Sequence, residues 1–287
     1  MVPMSASRVV LLGAIAGFTI FLGLPTGRLR NPAMRLKAFL NAGALGVLMF
    51  LFVEVVEHAI GPVEGALTDA AIDHDGSWWR FAGLSTVFTV GLVVGLLGLV
   101  AYDRQLSGSA RAARPGRSVG AAAAVDLRRG VVVGLSPARR LALFIAVGIG
   151  VHNFAEGLAI GQSAGKGEVS LALALIIGFG LHNATEGFGI VAPLAGDAER
   201  PSWGFLAVLG IIGGAPTLIG TIVGRSFVND TLYLAVLALA AGSILYVVAQ
   251  LFRVGFKLGH EAMMMVGLLT GLIAGFGTDF VLVAAGA

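Results

Sequence analysis

The 287-residue chain is 57% hydrophobic and 12% charged, with a mean hydropathy of +0.91. Soluble globular domains carry about a quarter charged residues, which excludes an ordinary soluble fold. It contains no cysteine, which removes disulfides, thiolate metal sites and thiol catalysis, and its net charge of +3 is modest.

Eight apolar stretches follow one another, at 8–26, 38–60, 81–101, 140–163, 169–192, 203–224, 231–252 and 261–283. Each is near the roughly 20 residues that a helix needs to cross the hydrocarbon core. The fold class expected is therefore all-α, a polytopic membrane protein of eight transmembrane helices. The first stretch reads as a spanning helix, because only Arg8 stands in its opening and the basic GRLRNPAMRLK follows it. Small residues at one-turn spacing, such as Gly91 and Gly95, suit close helix packing. Residues 1–101 hold helices one to three, and 102–139 form a flexible basic connection. Helices four and five fall in 140–192 and helices six to eight in 193–287, all within one integral membrane domain.

Orientation follows from the cations, which are retained on the cytoplasmic side. The first, third, fifth and seventh connections hold 15 of the 19 lysines and arginines, leaving Arg8, Arg80, Lys166 and Arg225 opposite. Both termini are thus expected outside. The same asymmetry accounts for the basic pI without a nucleic-acid partner. The 102–139 segment reads as a solvated loop, with a lipid-contacting or regulatory role as the alternative.

Helix two contains FVEVVEHAIG, which places Glu54, Glu57 and His58 on one face near its outer end. They could form a capture or auxiliary metal site, or simply a polar helix end reaching water. The following Asp73, His74 and Asp75 could gather ions ahead of it or form an ordinary solvated turn. Asp279, near the outer end of helix eight, reads as interfacial.

Helices four and five carry VHNFAEGLAIG and LHNATEGFGI. Residues four apart return to nearly the same helix face, so His152 with Glu156 and His182 with Glu186 form two two-donor faces at mid-helix. A carboxylate at the centre of a spanning helix costs about 2.5–3.5 kcal/mol on insertion scales and needs a partner inside the bundle. No lysine or arginine lies at comparable depth in the sequence. Two imidazoles and two carboxylates suit a divalent first-row transition metal. Asn153 and Asn183, about 100° round the helix, could add carbonyl oxygens or supporting hydrogen bonds. Gly157 and Gly187 are expected to let the two motif helices approach each other. The bland alternative is a polar cluster whose members satisfy one another.

At these residues the chain resembles the ZIP (Zrt/Irt-like protein) family of divalent metal transporters. HNFAEG and HNATEG look like the family's HNxPEG signatures on its fourth and fifth helices. The resemblance implies metal uptake into the cytoplasm, zinc first, with iron, manganese, cobalt or cadmium as other substrates. It implies a homodimer in the lipid bilayer, multi-pass in the cell membrane, the inner membrane if the source is prokaryotic, and no cofactor. It also carries over His152, Asn153, Glu156, His182, Asn183 and Glu186 as metal-binding residues. The chain departs from the pattern in several places. Ala155 and Thr185 replace the motif proline, Ala215 precedes Pro216 where the family has glutamate, and Gln250 stands where an acid is expected. One principal metal position is therefore expected.

No phosphate-binding glycine loop with Lys and Ser/Thr is present, so ATP-driven pumping is not indicated, and no enzyme is expected. A membrane metal sensor that binds without transport would use the same donors. A zinc-dependent intramembrane hydrolase would need an HExxH-type arrangement, and both copies here read HNxxEG.

Overall fold

The computed structural model describes residues 5–29, 34–74, 76–112, 135–165, 169–197, 199–226 and 229–284. Among the described residues eight α-helices run in chain order: α1 (Ala6–Phe18), α2 (Met34–Thr68), α3 (Trp78–Ala112), α4 (Pro137–Gly165), α5 (Val169–Val191), α6 (Trp203–Ser226), α7 (Asp230–Leu258) and α8 (Glu261–Ala284). A short 3-10 extension carries α1 on to Arg28, and no strand is present among the described residues. Eight helical segments are long and apolar enough to cross a membrane.

The helix ends have local causes. α4 starts with Pro137, and the Ser136 hydroxyl accepts from the Arg139 N–H at 3.2 Å, satisfying one of the free amides of the first turn. α7 starts on Asn229, whose Oδ1 accepts from the Leu232 N–H at 2.9 Å, and stops at Gly259, where φ is +70°. α2 ends in a π-turn over Asp69–Asp73, closed by His74 in the left-handed region at φ 58°.

Several expectations change here. α2 runs to Thr68, so Glu54, Glu57 and His58 lie about three turns before its end and not at its outer terminus. α3 continues to Ala112 and occupies the first part of the segment read as a loop; 113–134 lie outside the described residues. Gly157 and Gly187 do not bring α4 and α5 together. A Cβ on Gly157 would meet the Thr217 carbonyl oxygen of α6 at 2.1 Å, and one on Gly187 would meet the Ile20 carbonyl oxygen at 2.3 Å. Each motif glycine thus seats its helix on a different neighbour.

Packing divides into two groups of four. α4 lies on α6 and α5, and α1 covers α5 and α6; α2 packs on α8 and α7, and α3 packs on α7. α4 against α7 and α2 against α5 join the groups, with Leu45, Leu48, Leu51, Ile145, Ile149 and Ile244 in the shared core. On the side of the bundle where α4 begins, Arg139 bonds Asp197 at 2.9 Å, tying the start of α4 to the chain just beyond α5. Arg28 lies 4.7 Å over the Trp203 ring and donates to the Pro201 carbonyl, tying the extension of α1 to the start of α6.

Candidate metal site

Both motif copies face inward. His152, Asn153, Glu156, His182, Asn183 and Glu186 are all buried, none more than 4% exposed. The single helical turn between His152 and Glu156 brings His152 Nε2 to 3.1 Å from Glu156 Oε1, and α5 supplies Glu186 Oε1 at 3.8 Å from the same nitrogen. Ligand atoms around a tetrahedral zinc with bonds of about 2.0–2.1 Å sit about 3.3 Å apart. The first spacing already suits a shared cation, and the second is about half an ångström wide.

His182 stands differently. Its Nε2 lies 3.0 Å from Thr278 Oγ1 on α8, and its ring meets Phe50 of α2 edge-on at 6.3 Å. Accordingly, no set of three or more His, Asp or Glu side chains among the described residues is disposed to hold an ion as it stands. His152, Glu156 and Glu186 come together, and His182 stands apart from them on Thr278.

The asparagines fix themselves to the backbone of flanking helices. Asn153 Nδ2 donates to the Gly213 carbonyl of α6 and Asn183 Nδ2 to the Ala16 carbonyl of α1, each at 2.9 Å. A carbonyl only accepts, so the amide orientation is determined. Each Oδ1 is left buried without a partner, and apart from the His152 contacts and the Asn153 amide beside Glu186, the carboxylate oxygens of Glu156 and Glu186 have no hydrogen-bonding neighbour. No lysine or arginine among the described residues pairs with either glutamate. Ala215 and Gln250 bring no carboxylate; α6 contributes the Gly213 carbonyl that accepts from Asn153.

Two cavities lead away from the cluster. One of about 70 Å³ is lined by His152, Glu156, Glu54, His58, Phe179 and Tyr233. The second, about 390 Å³, is lined by Glu54, Glu57, His58, Phe50, Phe276 and Asp279. Glu54 and His58 line both, which makes them the link between the wider space and the buried cluster. His58 Nδ1 donates to the Glu54 carbonyl at 2.8 Å, and because that carbonyl only accepts, Nε2 holds the free lone pair. Asp279 lines the wider cavity together with Glu54, Glu57 and His58. Of the loop residues, His74 is exposed, and Asp75 lies outside the described residues. Thr278 had no signal in the sequence, because only tertiary packing sets it against His182.

The chemistry of this arrangement is that of buried N and O acceptors with too few hydrogens to satisfy them. A divalent cation meets that need. Comparison with known proteins gives the same direction. A search of curated proteins found no match. The family model described as "ZIP Zinc transporter" matches residues 130–252, a stretch that includes all of α4, α5 and α6 and most of α7, with both motif copies inside it. Residues 130–252 are thus similar to a ZIP zinc transporter domain, within a chain whose described residues form eight helices long and apolar enough to cross a membrane.

Proposed function

We propose that this protein moves divalent transition-metal ions, zinc first and iron or manganese after it, into the cytoplasm through one principal site. Its donors are His152, Glu156, His182 and Glu186, with Asn153 and Asn183 as oxygen donors or supports. The observation that carries the reading is the cluster's imbalance of acceptors over donors. Two carboxylates meet one imidazole nitrogen at 3.1 and 3.8 Å, their oxygens are buried with Asn153 as the one amide beside Glu186, and among the described residues no lysine or arginine pairs with them. A buried carboxylate without a partner is strongly unfavourable, and a passing dication removes that cost for both at once.

Glu54, Glu57, His58 and Asp279 act as the capture vestibule. By the distribution of basic residues the vestibule opens outside and both termini lie there with it. Metal collected there reaches His152 and Glu156 through the narrower cavity. The protein sits in the cell membrane as a homodimer, as the family resemblance implies. The His152, Glu156 and Glu186 cluster lacks the HExxH arrangement of a hydrolase, and the family match favours transport.

Uptake of radioactive zinc into proteoliposomes carrying the protein, with iron, manganese and cadmium as competitors, tests the reading. Time-dependent accumulation supports it. Tight stoichiometric binding with no accumulation would establish the sensor instead.

A further inference from the structure

The contact of His182 with α8 selects which of its ring nitrogens meets the metal, given the role of His182 as a donor proposed above. His182 Nε2 lies 3.0 Å from Thr278 Oγ1. The same hydroxyl lies 2.7 Å from the Ala274 carbonyl oxygen and 3.0 Å from that of Gly275, in its own helix. A threonine hydroxyl has one hydrogen, and the backbone carbonyls, which can only accept, take it. Toward His182 the oxygen therefore offers a lone pair, and the hydrogen between the two residues belongs to Nε2. The other ring nitrogen, Nδ1, is buried and has no hydrogen-bond partner.

We propose that Thr278 is a positioning residue that holds His182 as the Nε2–H tautomer, so that Nδ1 is the atom His182 gives to a divalent transition-metal cation. His152 presents the opposite nitrogen, since its Nε2 is the one beside Glu156 and Glu186. The two motif copies, alike in sequence, therefore coordinate through different ring atoms. A hydrogen-bond partner behind a histidine ligand fixes its tautomer and ring orientation, and its loss costs about 10–100-fold in metal affinity. Thr278 lies outside the matched 130–252 stretch and belongs to the other helix group, so this hydrogen bond also ties α5 to α8.

Nitrogen-15 NMR of histidine-labelled full-length protein in bilayers, with His182 assigned by its loss in His182→Gln, reads the tautomer directly. The expected result is a protonated Nε2 and a bare Nδ1 without metal, and a cadmium-induced shift at Nδ1. Thr278→Val, which keeps the shape and loses the lone pair, is expected to raise KM for zinc uptake about 10–100-fold, and Thr278→Ser to restore it. A protonated Nδ1 in the metal-free parent, or a cadmium shift at Nε2, overturns the proposal even if Thr278→Val fails to fold. Parental KM in a folded Thr278→Val overturns it too. If cadmium moves neither nitrogen and His182→Gln transports like the parent, the reading of His182 as a donor falls with it.

Discussion

At the scale of single residues, the decisive fact is how the asparagines spend their hydrogens. A polar cluster that satisfied itself would turn amide N–H groups toward the carboxylates. Here Asn183 donates outward to Ala16, and Asn153 donates to Gly213 while standing beside the Glu186 carboxylate; both amide oxygens, and both oxygens of Glu156, are left without hydrogen-bond partners in the interior. That distribution favours a cation over the self-satisfied cluster. The His-x-x-x-Glu spacing was legible in the sequence because it is a local property of one helical turn. The outward asparagine bonds, the seat of His182 on Thr278 and the place of Asp279 in the vestibule were not, because each partner lies far away in the chain. The vestibule makes its own prediction. Glu54→Gln and His58→Ala, which lie along the path and not at the buried cluster, should raise KM for zinc several-fold while leaving kcat near the parental value. Steady-state uptake over a range of zinc concentrations measures both, and a loss of kcat alone would place these residues in the transport site.

At the scale of helices, the sequence showed how many spans to expect and hid how they pair. Hydropathy located all eight because burial in lipid demands a continuous apolar stretch, but it could not say that α2 and α3 would run on beyond their apolar cores. It also could not tell which neighbour a glycine serves. Gly157 and Gly220 seat α4 and α6 on each other; an added Cβ would come within 2.1 Å of the Thr217 carbonyl oxygen and 2.2 Å of that of Phe154. Backbone atoms cannot rotate away as a side chain does, so the helices must separate. Gly157→Ala should lower the thermal unfolding midpoint in detergent by several degrees. Gly98→Ala in α3, where an added Cβ meets nothing within 4 Å, should be neutral or raise it, since alanine favours the helix by about 0.5–1 kcal/mol. Equal effects at the two positions would contradict the packing described.

At the scale of the whole molecule, the cavities that reach the cluster run toward one end, where α2 finishes and α7 begins. At the opposite end Arg139 is tied to Asp197, and Arg28 to Trp203 and Pro201. The charge asymmetry of the sequence predicts that this tied end is cytoplasmic and that the cavities face the outside. The absence of native cysteine allows a clean check. A membrane-impermeant thiol reagent added to intact cells should label Val53→Cys, in the wider cavity, and should label Glu199→Cys only after permeabilisation. The reverse pattern would invert the orientation and with it the sense of transport. The central claim, that one buried His/Glu cluster carries metal across the bundle, is tested most directly by zinc uptake into proteoliposomes holding equal amounts of parent, Glu156→Gln and Glu186→Gln protein. The account predicts accumulation by the parent and uptake near the protein-free background for both variants, and parental uptake by both would contradict it.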